Sequence, residues 1–196
     1  MFAFAAAVFF LIITPGPGVL STAGVGAAYG VRAGSFYVGG LWLGQNFVAL
    51  MVITGLAAVL LANPKVEIAA YFVALFYLGY IAFRVATAGA KLAFIAARKP
   101  PGILGGMALQ VVNPKAYAVN TALFTGFGFR PENPVAEILA KLVVLNLIWV
   151  VIHFAWLWAG VVLHELNLPE RVHRRINAAM ALSMIAVVAL LALSPR

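Results

Sequence analysis

The chain contains no cysteine and no aspartate. The first absence excludes disulfides, thiolate metal sites and cysteine nucleophiles. The second leaves Glu67, Glu132, Glu137, Glu165 and Glu170 as the only carboxylate side chains. All five fall at or near the ends of apolar runs, so paired carboxylates within an apolar span are missing. Charge is scarce altogether: 9% of the residues are charged, against about 25% in a soluble domain. No Ser/His/Asp set, HExxH motif or phosphate-binding loop is present, and the glycine-rich stretches lack the strand that a nucleotide loop follows. The chain therefore reads as neither an enzyme nor a holder of a metal or cofactor.

What remains is apolar. Hydrophobic residues make up 65% of the 196-residue sequence, and the mean hydropathy is +1.06. Such a composition belongs to an integral membrane protein embedded in a lipid bilayer, with room for roughly six helical spans and no soluble domain. Residues 1–196 are expected to form a single transmembrane domain. The net charge of +8 is scattered between apolar runs, which marks orientation signals rather than a nucleic-acid patch. Residues 1–13 lack the basic start of a cleaved leader and read as part of a retained first span.

The spans are predicted at about 2–29, 36–62, 68–90, 103–129, 135–163 and 178–193. Turns are expected at Gly30, Arg32 and Gly34, at Asn63-Pro64-Lys65, and at Arg130-Pro131-Glu132-Asn133-Pro134. Connections after spans one, three and five carry Arg32, Lys91, Arg98, Lys99, Arg171, Arg174 and Arg175. The other side holds only Lys65, Arg130 and Arg196. The richer side should be cytoplasmic, which places both termini outside. The chain divides near Arg98 into halves of about 1–98 and 99–196, each of three spans. Three is odd, so equivalent halves would cross the membrane in opposite directions.

Each half starts with a span that proline interrupts. In the first the break is Thr14-Pro15-Gly16-Pro17-Gly18, and in the second it is Asn113-Pro114-Lys115. Proline removes a backbone donor and glycine relaxes φ, so both spans should be broken helices. Broken backbone at membrane depth is tolerated only inside protein or beside a watery cavity. Interrupted spans in matching positions of two halves point to a transporter's binding site. The candidate binding residues are Pro15, Gly16, Pro17 and Gly18 with Asn113, Pro114 and Lys115. Lys115 either meets an anionic substrate group or caps carbonyls at a helix end. The half-helix after Pro17 offers an anion-attracting N-terminus with Ser21 and Thr22 in its first turns. The unwound carbonyls at 13–16 suit an ammonium, and together these polarities fit a zwitterion.

Gln45 and Asn46, midway along the second span, either line the pathway or bond neighbouring helices. Asn120 and Asn146 carry the same ambiguity. His153, among Trp149, Trp156 and Trp158, is the candidate proton-coupling residue. Glu137 and Lys141 are spaced to pair along a helix. Gly30, Gly34, Gly39, Gly40, Gly44 and Gly55 allow close helix approach, within the chain or at a possible homodimer seam.

These motifs resemble the lysine exporter (LysE/RhtB) superfamily of amino-acid translocators. The resemblance rests on Thr14-Pro15-Gly16-Pro17-Gly18-Val19-Leu20-Ser21, then Gly30-Val31-Arg32-Ala33-Gly34, then Gly40 and Gly44. Tyr77-Leu78-Gly79-Tyr80 matches the family's third span loosely. Gly105-Gly106 followed by Val112-Asn113-Pro114-Lys115-Ala116 matches its Asn-Pro-Lys segment. The resemblance implies six spans and proton-motive-force-driven export of amino acids or similar small molecules from a bacterial inner membrane. Two departures stand out. Many members carry an aspartate in span two where this chain has Gly44-Gln45-Asn46, and many end span four in Phe-x-Pro-Gln-Phe where this chain has Phe124-Thr125-Gly126-Phe127. The missing aspartate implies an altered substrate, less basic or not an amino acid.

Overall fold

A computed structural model describes residues 1–55 and 100–166, with isolated positions between 63 and 76 and between 169 and 182. The predicted third and sixth spans, the Tyr77 to Tyr80 motif and most of the basic connection before Pro100 lie outside the described residues. Within them the chain is helical throughout: α1 (Phe2–Ile13), α2 (Pro17–Ile53), α3 (Gly102–Val111), α4 (Pro114–Gly126) and α5 (Pro134–Glu165).

Proline chemistry sets several of these boundaries. Thr14 precedes Pro15 and is extended at φ −56°, ψ 127°, as the proline ring requires of its neighbour. Its N–H and hydroxyl both turn back to the Phe10 carbonyl, at 3.3 and 2.6 Å. Pro17, Pro114 and Pro134 each open a helix, where a missing N–H has no partner to lose.

The second predicted span needs correcting at its start. The expected turn over Gly30, Arg32 and Gly34 is a single residue, Gly30, at φ 75°, ψ −179°. Only glycine takes that backbone without strain. Val31 and Arg32 are already helical, so α2 runs on past the break. α2 ends at Ile53, where the Thr54 hydroxyl bonds the Leu50 carbonyl and Gly55 turns to φ 72°; the predicted end of the span at 62 lies outside the described residues. α4 ends at Gly126, short of the expected 129, because hydropathy marks how far apolar residues extend and not where the helix stops.

α2 is the centre of the packing, with α3 and α5 laid along it. Small residues bring the backbones together. A methyl group at Gly40 would lie 2.0 Å from the Ile103 carbonyl oxygen, and one at Gly106 would lie 2.2 Å from that of Tyr37. On the α5 side, a methyl at Gly160 would lie 2.0 Å from the Ala23 carbonyl oxygen. The Gly40-x-x-x-Gly44 spacing is thus occupied by α3 of the same chain. Gly34 is filled by Leu157, whereas Gly39 faces open space. α1 lies across α4 and α5, burying Phe4, Val8 and Ile12 with Leu145, Trp149 and Ile152.

Glu137 and Lys141 pair at 2.7 Å, with Lys141 2% exposed. The same glutamate accepts the Phe129 and Arg130 N–H groups, and Lys141 donates to the Phe124 carbonyl at 3.3 Å. The rings of Phe4 and Phe129 lie over the ammonium at 5.9 and 5.8 Å. This pair staples the end of α4 to the starts of α1 and α5, and both partners also bond backbone groups, which a buried ion pair needs.

The outer surface is apolar. Val143, Leu147, Val151, Phe154 and Trp158 form an exposed stripe along α5. α2 and α5 are long and apolar enough to cross a membrane, and α1 and α3 are shorter apolar helices.

Candidate functional site

The gap between α1 and α2 meets the gap between α3 and α4 at one cavity of about 40 Å³. Gly16 and Gly18 face it from the first break and Asn113 and Lys115 from the second. Gln45, Gln110, Trp149 and His153 complete the polar wall, and Leu11, Ile12 and Val119 supply the apolar one.

Lys115 ties the two breaks together. Its Nζ donates to the Thr14 carbonyl at 2.6 Å, across 101 positions of sequence. The ammonium therefore caps the end of α1 and not its own half. A methyl group at Gly16 would come within 2.9 Å of the lysine Cδ, so glycine there leaves the channel in which this side chain lies. Among the described residues Lys115 has no carboxylate partner.

A buried chain of amides runs behind it. The Lys115 N–H donates to Asn113 Oδ1 at 3.1 Å, and Asn113 Nδ2 donates to Gln110 Oε1 at 3.3 Å. Gln110 Nε2 donates to Gln45 Oε1 at 2.7 Å, and Gln45 Nε2 donates to Asn120 Oδ1 at 3.0 Å. Asn120 Nδ2 ends the chain on the Ala116 carbonyl at 2.7 Å. A backbone N–H can only donate and a carbonyl can only accept, so the two ends dictate which way every amide points. The chain links α2, α3 and α4 with no amide reversed.

The two helix N-termini differ. At α4, Asn113 is the N-cap and its side chain satisfies the Lys115 N–H. Asn113→Ala is expected to lower stability by about 1 kcal/mol through the lost cap. Asn113→Ser, which keeps a capping oxygen without burying a charge, should lose less; unfolding in detergent monitored by tryptophan fluorescence compares them. At α2 the N-cap is Gly16, with no side chain to offer. Leu20 N–H closes the first turn on the Gly16 carbonyl. Gly18 and Val19 line the cavity, and their N–H groups, in the first turn of the helix, have no hydrogen-bond partner among the described residues, as at a helix start that attracts anions. Ser21 and Thr22 do not join them, because both hydroxyls turn back to the Gly18 carbonyl at 2.8 Å.

His153 is 3% exposed and stacks on Trp149, ring centroids 3.5 Å apart. Its Nδ1 lies 2.9 Å from the Trp149 carbonyl. Its Nε2 lies 3.4 Å from where a Gly18 methyl would stand.

Of the residues singled out by sequence, the cavity thus gathers Gly16, Gly18, Gln45, Asn113, Lys115 and His153. Pro15, Pro17 and Pro114 shape the breaks without lining it. Asn46 is placed elsewhere: it pairs with Asn146 through reciprocal amide bonds of 2.9 and 3.0 Å, and Trp42 Nε1 donates to Asn146 as well. That cluster clamps α2 to α5. Sequence reading passed over Gln110, although a glutamine in an apolar helix three residues before Asn113 carries the same signal as Gln45.

Searches of curated proteins and of solved structures return no match to the chain. The profile of the LysE type translocator family, in contrast, matches residues 9–194, a range that includes both helix breaks and the cavity between them. The chain is a membrane protein of the LysE type translocator family.

Proposed function

We propose that the protein is a secondary transporter that exports amino acids or related small metabolites across the bacterial inner membrane, driven by the proton motive force. The observation that carries this reading is the Lys115 ammonium lying on the Thr14 carbonyl. Two helix breaks, half a chain apart, share one site, the arrangement that alternating access uses when two halves rock about a fixed midplane site. The reading includes six spans in two inverted halves and both termini on the periplasmic side.

The polarity of the cavity suits a small molecule with opposite charges at its ends. Lys115 and the open Gly18 and Val19 N–H groups attract an anion such as a carboxylate. The end of α1, which already accepts one ammonium at Thr14, suits a cationic group. At about 40 Å³ the cavity holds little more than water. Loading on this reading requires the cavity to widen and Lys115 to leave Thr14. The resemblance puts an aspartate in many family members where this chain has Gly44-Gln45-Asn46, and its absence removes a negative charge and favours substrates without an extra cationic side chain.

Purified protein reconstituted in liposomes tests this directly. With isotope-labelled standard amino acids inside, at least one is expected to leave against its own gradient only while a pH gradient is imposed. Flux that merely follows the amino-acid gradient would mark a channel instead. No flux of any amino acid would sink the reading.

A further inference from the structure

One hydrogen-bonding position in the cavity is filled by nothing among the described residues. The Trp149 carbonyl can only accept, so His153 Nδ1 beside it carries a hydrogen. The neutral ring then has its lone pair on Nε2, the atom turned toward Gly18 and the cavity. A buried acceptor with no partner is costly, and here it stands beside a helix start whose first N–H groups are also open. Facing this ring are Lys115 from α4, Gln45 from α2, Gln110 from α3, and apolar Leu11 and Ile12 from α1. On its own helix the neighbour is Trp149. Lys115 is the one other titratable group lining the cavity, and no carboxylate lines it among the described residues.

We propose that the Nε2 lone pair of His153 is a single acceptor used in turn by the substrate and by the coupled proton. A substrate N–H or O–H donates to Nε2 when the cavity is open to the cytoplasm. After the substrate leaves on the far side, a proton from that side takes the lone pair. It is released to the cytoplasm when the next substrate binds. Only the Nε2–H bond forms and breaks, and one proton enters for each molecule exported. One lone pair cannot hold both partners, and that exclusion is the requirement for antiport. The inference rests on the transporter reading above and adds to it the atom at which substrate and proton compete.

The test uses reconstituted full-length protein and the amino acid found to be exported. In the wild type, substrate affinity should fall about tenfold for each pH unit below the histidine's titration midpoint, as competition with one proton demands. His153→Gln keeps an accepting oxygen but cannot titrate. Its counterflow KM, whatever its size, should be independent of pH, and export driven by the pH gradient should be lost. His153→Leu, which removes the acceptor, should weaken binding at least tenfold. Gradient-driven export that survives in His153→Gln overturns the inference while leaving the transporter reading standing, as does unchanged substrate affinity in a folded His153→Leu. Absence of any counterflow in the wild type overturns both.

Discussion

Lys115→Ala is expected to abolish export, by at least a hundredfold, while the protein reaches the membrane at close to wild-type abundance. The asymmetry follows from two opposed contributions to stability. The lysine provides one hydrogen bond to Thr14, and a bond involving a charged group contributes about 1.5–3 kcal/mol. Keeping a lysine within a span costs about 2.5–3.5 kcal/mol on insertion scales. Removing it forfeits the first and relieves the second, so the fold changes little. Function has no such compensation, because no other charged group among the described residues lines the cavity. Lys115→Arg should retain part of the activity: the charge stays, but the broader guanidinium must pass Gly16, where even one added methyl group would come within 2.9 Å of the lysine Cδ. Export of labelled amino acid normalised to membrane abundance decides the matter. Equal loss of both quantities in Lys115→Ala would make the lysine a structural cap.

Gly40→Ala should remove most of the folded protein. Its new methyl would sit 2.0 Å from the Ile103 carbonyl oxygen, and neither partner is a side chain that can rotate away. The helices α2 and α3 must separate by more than an ångström, which unpacks the seam and draws Gln110 away from Gln45. Overpacking of this kind costs about 1–3 kcal/mol and more where backbone must move; the upper end is expected here. Gly39→Ala is the matched control, since its methyl meets nothing within 4 Å. Alanine is a better helix former than glycine by about 1 kcal/mol, so that variant should be neutral or slightly stabilised. Size-exclusion profiles and detergent melting of the two neighbouring variants read the difference. A well-folded Gly40→Ala would refute the close α2–α3 approach.

Much of the site could be read from the chain because its causes are local. Proline cannot continue a helix and glycine relieves the backbone, so the ends at Ile13 and Val111 and the starts at Pro17 and Pro114 follow from residue chemistry. The i, i+4 pairing of Glu137 with Lys141 is equally local. Where the determinant was a single backbone angle, composition misled. Only the conformation of Gly30 shows that the first connection shrinks to one residue.

The partners of Gln45, Asn46 and Lys115 came from packing alone. Gln45 and Asn46 are neighbours of similar chemistry, but a helix turns about 100° per residue. One therefore enters the amide chain beside the cavity, and the other faces Asn146 on α5. Lys115 could have capped either broken helix; the fold delivers it to Thr14, 101 positions away. Sequence by itself determined an apolar chain with two proline breaks and a lone lysine in the second. The tertiary structure decided that the breaks meet, that His153 turns Nε2 to the cavity, and that Gln110 joins the wall. Helix rotation and close backbone approach govern those choices, and both depend on residues far apart in the chain.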